Sequence, residues 1–491
     1  MNTTLQHIVA FLSPLFFLFL PIFFVLHGIR ENAGFVSLKD SLPLLGIYMI
    51  AALVLYALCW FLFRDRIKAA LGCFVLMCFH FFFGAFHDTL KLLLGASFFT
   101  RYVFVLPALL ILLVYIFYRI KKTQNLLQKT SRFLTVLLLL LIVMEIVLLV
   151  IPARKSITDA ARFSSCDTCR KPDIYLVMMD EYAGHRALQD LFDFDNSKFE
   201  QQLRQRGFYV ANNSRSNYNY TPFSIASMLN MEYLELKNTD RDKPDLNYAF
   251  RMINRNDVQH QLEANGYEFY NHSVFNLPGR PAPVEETFIP AKTRLFTSQT
   301  LVSRLYRDLG YHLVVTLKIR SVMEDNAYHE LRNNTRLYDL TRQIATTASA
   351  KPRFVYTHLM MPHYPYYFDR TGKPMDPNRV LPEANNINRK DYTEYLQYTN
   401  EKILSLADHL LKSSSKPPVI IIMSDHGFRH FREPVEKKYH FMNLNSIYLP
   451  GGNYEGFYDS VSNVNQFRIL FNSLFKTQYP LSKDSSIYLK D

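Results

Sequence analysis

With 5 cysteines in 491 residues, the chain is too poor in cysteine to be a disulfide scaffold. Cys59, Cys73 and Cys78 lie inside apolar runs and read as small buried hydrophobes. Cys166 and Cys169, in SSCDTCR, lack a second pair with which to complete a zinc site. An oxidising compartment would make them a short structural disulfide. A net charge of +12 raises the question of nucleic acid, yet a basic patch with interleaved aromatics is missing. Residues 1–155 carry 14 Lys and Arg against 5 Asp and Glu, which is +9 and leaves only +3 for the remainder. The basicity therefore belongs to the first third, where a surface facing anionic headgroups accounts for it. No nucleic-acid partner is expected. Internal repeats are absent too. So is a small-residue cleavage site after the first apolar run, which therefore reads as a retained anchor.

What the first third has is apolar length. Five runs of roughly 20 residues, near Ile8–Leu26, Leu42–Phe63, Ala69–Phe86, Tyr102–Tyr118 and Phe133–Ile151, each suffice to cross a bilayer's hydrocarbon core. A very apolar globular core would not park charges between such runs. The loops at 64–68 and 119–132 hold eight basic residues against six on the other flanks, which places those loops in the cytoplasm. The expectation is a five-span α-helical membrane domain over 1–151 and a polar connector over 152–171. Residues 172–491 then form an extracytoplasmic domain of a multi-pass plasma (inner) membrane protein.

From Pro172 onward short apolar strands alternate with helical stretches. DIYLVMM, RFVYTHLMM and PPVIIIMSD read as buried strands, and FEQQLRQRGF and DYTEYLQYTNEKILSLADHLLKSS as amphipathic helices. This alternation predicts an α/β domain with a mostly parallel sheet sandwiched by helices. The Pro-rich segment Leu277–Ala291 reads as an irregular loop.

Three of the strands end in residues competent to hold a metal. One ends in Asp180 and Glu181, one in His358 with His363 close behind, and one in Asp425 and His426. In a parallel sheet such ends share one edge, where open α/β sheets bind ligands. A lone strand end of this kind is only a polar turn; three of them point to a site. In SNYNYTPFSIASMLN, Thr221 precedes a helix with Pro222 at its first position, and its simplest role is the N-cap. A hydroxyl at a helix N-terminus beside a metal is equally a place where an alkoxide is stabilised.

The order of these elements resembles the alkaline-phosphatase/sulfatase superfamily: an acidic pair after a strand, Thr before a helix, MPHYPYYFD, then SDHG. More narrowly it is similar to its membrane-anchored branch of lipid A phosphoethanolamine transferases and lipoteichoic acid synthases. The resemblance implies Thr221 as nucleophile and metal ligand, with Asp425, His426 and either Asp180 or Glu181 as further ligands of one divalent metal, Zn or Mn. It implies His363 as a substrate-contacting histidine, with His430, His440 and His358 as further candidates around the phosphate. The implied activity moves a phosphoethanolamine or phosphoglycerol headgroup from a phospholipid donor to a cell-envelope glycan or lipid acceptor, through a phospho-threonine. A Cys or Ser in a C/S-x-P-x-R context, which sulfatases need, is missing at Thr221–Ser224, and this counts against sulfate-ester hydrolysis. A phosphodiesterase-like hydrolase and a non-catalytic scaffold with a relic site are the alternatives. The orientation is directly checkable: a reporter active only in the cytoplasm, fused after Asp491, should stay silent.

Overall fold

The computed structural model describes residues 13–32, 36–95, 97–123, 127–150, 165–236, 243–277, 279–284, 293–306, 320–381 and 387–490. It divides into two compact units, Met1–Ser156 with Glu286–Ile319 and Ile157–Glu285 with Arg320–Asp491.

In the first unit the helices are α1 (Phe16–Glu31), α2 (Leu38–Phe63), α3 (Arg66–Leu94), α4 (Tyr102–Lys122) and α5 (Leu127–Val150). Helices α2 to α5 are long and apolar enough to cross a membrane. The first expected span, Ile8–Leu26, lies partly outside the described residues, and α1 itself is 16 residues long. Four spans, not five, are thus found among the described residues. Ser37 and Asp40 cap α2 reciprocally, and Asp65 caps α3 through the amides of Ile67 and Lys68. Ile50, Leu53, Phe61, Ile111, Val114, Leu140 and Val147 are exposed on these helices. Hydrocarbon covers such a surface without cost, whereas water does not. Residues 293–306 also pack within this unit. The Phe296 ring sits where a Cβ on Gly28 would lie, 2.5 Å away, and the Gly84 amide donates to the Gln299 carbonyl at 2.7 Å. The Arg304 guanidinium forks onto Asp88. Residues 293–306 therefore belong with the apolar helices, although no apolar run marks them.

The second unit is built on a six-stranded sheet in the order β2-β6-β5-β1-β4-β3. The strands are β1 (Ile174–Asp180), β2 (Tyr209–Val210), β3 (Glu268–His272), β4 (Arg353–Pro362), β5 (Val419–Ser424) and β6 (Asn445–Tyr448). β1 pairs in parallel with both β4 and β5, and β3 in parallel with β4. β6 runs against its neighbours β5 and β2, so the sheet is mixed rather than mostly parallel. The physical reason lies in the connection after β5. It carries only a short 3-10 turn at Lys437–His440, and without a crossover helix the returning strand pairs antiparallel.

All residues of β1 and β5 are buried, as expected for central strands covered on both faces. Alternate side chains feed two cores. Tyr175, Val177 and Met179 pack with helices over Arg320–Thr346 and Arg389–Ser413, through Leu337, Tyr392 and Leu396. Ile174, Leu176 and Met178 pack with α6 (Thr221–Asn230) and α7 (Asn463–Phe475), through Phe223 and Phe467. Cys166 and Cys169 are disulfide-bonded. At the opposite end of the strands from the acidic pair, buried Arg353 forks onto Asp173, with Nη2 at 2.7 Å and Nε at 3.0 Å. Asp173→Ala leaves that buried guanidinium with only neutral acceptors. It should cost about 3 kcal/mol, read as a lowered Tm of the full-length protein.

Candidate active site

The parallel register brings the three strand ends together. Met179 of β1 lies beside Ser424 of β5, and Met178 beside His358 of β4. Asp180, Asp425 and His426, all buried, each offer one ligand atom, and these atoms lie within 4.8 Å of one another. Asp425 Oδ1 accepts hydrogen bonds from the amides of Glu181 at 3.1 Å and His426 at 2.7 Å. Asp425 Oδ2 and Asp180 Oδ1 are buried without a hydrogen-bond partner. The His426 Nδ1 is bonded to the Gly427 carbonyl at 2.7 Å, which leaves Nε2 facing Asp425 Oδ2 at 3.3 Å and Thr221 Oγ1 at 3.3 Å. Two orphaned carboxylate oxygens, an imidazole nitrogen and a hydroxyl converging in a dry site fit a divalent cation with O/N preference. Asp180, Asp425, His426 and Thr221 are the residues that would hold it.

Thr221 is not the cap that its position suggested. Tyr220, with φ −144° and ψ 130°, is the N-cap, and α6 begins at Thr221 with Pro222 next. The Thr221 hydroxyl is therefore free of capping duty and sits against His426 instead. Ser224, one turn on, donates from Oγ to the Asp425 carbonyl and fixes the helix to the end of β5.

Glu181 goes elsewhere. It has φ +59°, a left-handed backbone that is strained for a glutamate, and its carboxylate is buried in a second group with His363 and His430. His363 Nε2 lies 3.8 Å and His430 Nε2 3.7 Å from Glu181 oxygens. His358 is fully buried between Tyr356 and Asp180, with Nδ1 3.1 Å from the phenol and Nε2 3.7 Å from Asp180 Oδ2. His440 packs edge-on against the rings of Phe431 and Tyr488 and joins neither ligand group. Arg429 did not stand out in the sequence. Its guanidinium lies 4.6 Å over the Tyr220 ring and its amide donates to Glu181 Oε1 at 2.8 Å. Only its place four residues after Asp425 could have pointed to it.

The charges work against one another. Burial pushes the Asp180 carboxyl up, but the imidazoles of His363, His358 and His426 outweigh it and hold the pKa well below the usual carboxylate range. Burial and the neighbouring Asp180 raise Asp425. Burial opposes charge on His363, yet Asp180 and Glu181 bring its pKa above the ordinary value.

An α/β sheet whose β1 and β5 ends carry this carboxylate–imidazole group defines a domain of the alkaline-phosphatase/sulfatase class. The Sulfatase family profile matches residues 194–468, more than half of the chain, and the protein belongs to that family. Thr221, Asp425 and His426 lie inside the match; Asp180 and Glu181 precede it. No curated protein sequence matches the chain. Among solved structures it is similar to the periplasmic domain of EcEptC from Escherichia coli in complex with Zn. That likeness has 12% identity, covers 66% of this chain and 88% of that one, and has a TM-score of 0.40. The corresponding phosphoethanolamine transferase EptC domain from Campylobacter jejuni gives 12%, 65% and 94%, and 0.38. The phosphonate monoester hydrolase SpPMH from Silicibacter pomeroyi gives 13%, 64% and 75%, and 0.39.

Gly427 is where the chain leaving β5 passes close against the 439–442 backbone. A Cβ there would lie 2.5 Å from the Met442 carbonyl oxygen and 2.7 Å from that of Tyr439. Gly427→Ala should force the 439–442 backbone away from β5 and cost about 1–3 kcal/mol, seen as a lower Tm together with weakened metal binding.

Proposed function

We propose that the protein is a metal-dependent transferase that moves a phosphoethanolamine or phosphoglycerol headgroup from a phospholipid to a cell-envelope glycan or lipid acceptor. The observation that carries this reading is the Thr221 hydroxyl, released from capping and held 3.3 Å from the imidazole nitrogen of the Asp180–Asp425–His426 group. A divalent metal there, Zn or Mn, supplies charge neutralisation for a phosphodiester and a lowered pKa for the hydroxyl.

Thr221 Oγ attacks phosphorus, and the bond from phosphorus to the diacylglycerol oxygen breaks. His363, held in its tautomer by the bond from Nδ1 to the Tyr364 carbonyl, is placed to give that leaving oxygen its proton. An acceptor hydroxyl, losing its proton to the now neutral His363, then attacks phosphorus; the bond from phosphorus to Thr221 Oγ breaks, and the oxygen takes up a proton to restore the hydroxyl. Arg429, stacked on the residue before the nucleophile, offers its guanidinium to the phosphate oxygens. Retention of several membrane spans favours transfer of a lipid group over hydrolysis of a soluble ester, because one anchor suffices for tethering. The catalytic domain lies outside the cytoplasmic membrane in this reading.

Thr221→Ala should leave the protein folded with unchanged Tm, since no cap is lost. Turnover of labelled phosphatidylethanolamine or phosphatidylglycerol should fall on the order of 10³-fold or more. Thr221→Ser should recover part of it. Mass spectrometry of the protein quenched with donor should find the phospho-adduct on Thr221. Headgroup recovered on an acceptor supports transfer, and headgroup recovered free in water would make the protein a hydrolase of the same fold.

A further inference from the structure

We propose that the apolar helical unit holds one glycerophospholipid in a cavity between α2, α3 and residues 293–303. The proposal rests on the membrane reading of those helices and not on the reaction proposed for Thr221. The cavity measures about 920 Å³, near the upper end of the ~300–1,000 Å³ usual for small-molecule sites. Its walls are apolar, with Leu44, Ile47, Ala51 and Leu55 from α2 and Met77 from α3. Its rim is polar, with Arg294 and the hydroxyls of Thr293, Thr297, Thr300 and Ser303.

Length decides what fits. Leu44 and Leu55 lie about three turns apart on α2, roughly 16 Å at 1.5 Å per residue. That is about half of the ~30 Å hydrocarbon core, the depth of a single leaflet. The rim lies at the end of the helices away from the basic turn at 64–68. There Phe296 packs on Gly28 in the last turn of α1, and the Gln299 carbonyl takes the Gly84 amide of α3. Val54 and Val302 also line the cavity and are exposed, so it opens sideways onto the surface that hydrocarbon covers. A chain entering from that side gains dispersion contacts that an empty slot forfeits. Rings hold the slot's shape: Tyr48 meets Phe81 edge-on at 4.9 Å and Phe24 at 6.0 Å.

Two side chains select the polar part of the occupant. Arg294 is exposed and has no acidic partner among the described residues, so its guanidinium fork is available to a phosphate. His80 of α3 lines the cavity, its ring 5.6 Å from Tyr48 and 5.1 Å from Phe81, and makes no hydrogen bond among the described residues. An ionisable side chain at membrane depth that faces a cavity marks a ligand's place. His80 is one turn below Gly84, the level at which a glycerolipid carries its ester carbonyls as acceptors beneath the phosphate. An isoprenoid phosphate would leave His80 unused, and a neutral diacylglycerol would leave Arg294 unused.

The test is native mass spectrometry of the full-length protein, delipidated in detergent and titrated with dioleoyl phosphatidylglycerol or with dioleoylglycerol, which lacks the phosphate. The wild type should take up one phospholipid per chain and bind dioleoylglycerol more weakly. Arg294→Ala should weaken phospholipid binding roughly five-fold, as about 1 kcal/mol per basic residue implies, and leave dioleoylglycerol unchanged. Ala51→Phe puts a ring into the slot and should abolish uptake of both at an unchanged Tm. Thr221→Ala should bind like the wild type, so failure of the transferase reading and failure of this site are read separately. Absence of stoichiometric uptake by the wild type, or undiminished uptake by Ala51→Phe, would overturn the site. An Arg294→Ala protein that prefers the phospholipid as strongly as the wild type does would overturn it as well. If Ala51→Phe loses its fold, the Arg294→Ala comparison decides alone.

Discussion

Asp425 ties the ends of two strands together, and the site exists because of that tie. Its Oδ1 accepts from the amides of Glu181 and His426, and its own amide donates to the Met179 carbonyl. Ser424 adds a hydroxyl that accepts from the Tyr182 amide and donates to the His426 carbonyl. The chain leaving β1 is thereby fastened to the chain leaving β5 at the point where both must turn. Ser224 and Asn463 reach the same place from α6 and α7, donating to the Asp425 carbonyl. A strand end in solvent would fray; here the amides of Glu181, Tyr182, Asp425 and His426 and the carbonyls of Asp425 and His426 all have partners. Four elements are registered to the one residue Asp425, through its carboxylate and its carbonyl, and Thr221 arrives at His426 as a consequence.

This arrangement spends stability. Asp180, Glu181 and Asp425 are buried within a few residues of one another on two adjacent strands, and each keeps an oxygen without a hydrogen bond. Like charges in a low-dielectric site repel, which is why Asp180 and Asp425 are driven apart in pKa. The imidazoles of His358, His363 and His426 offset part of this, and cations would offset the rest. Such a cluster makes sense as a site of chemistry and makes none as a device for holding a sheet together, where apolar side chains of similar size serve better. The well-satisfied Arg353–Asp173 pair at the other end of the sheet is the contrasting case: its guanidinium also donates to the Ile344 and Thr347 carbonyls.

Most of the sheet's centre was legible because central parallel strands must be apolar on both faces. IYLVMMD and VIIIMS therefore stand out as unbroken runs, and the polar residues that end them are conspicuous by contrast. The rest was hidden for identifiable reasons. β6 is the four residues NSIY, too short to carry a pattern, so the antiparallel return that makes the sheet mixed had no signature. The first helical position of α6 differs from its cap by the dihedral angles of Tyr220, which no residue type there dictates. Asp180 and Glu181 look like alternatives for one role when read as neighbours in a line. Only the positive φ at Glu181 separates them, and a glutamate does not advertise a left-handed backbone. Arg429 acts through a ring stacked beside it, and the stacking follows from the loop path rather than from spacing in the chain.

The membrane part is more than a tether, and its buried charges are the reason for saying so. Glu145 on α5 is buried against His27 and Arg30 of α1, and Asp88 of α3 holds Arg304. Charges inside apolar helices are expensive and persist only where paired to some purpose. The Asp88–Arg304 fork, with the Phe296 ring against Gly28, binds residues 293–306 to the spans. Those residues lie in sequence between β3 and β4, so the chain passes between the two units three times rather than once. A domain hung on a single linker can be cut free intact. One whose sheet is interrupted by a membrane-packed segment cannot be cut at residue 151 without stripping Phe296 and its neighbours of their cover. The chain therefore does not divide at a single point into a helical part and an α/β part.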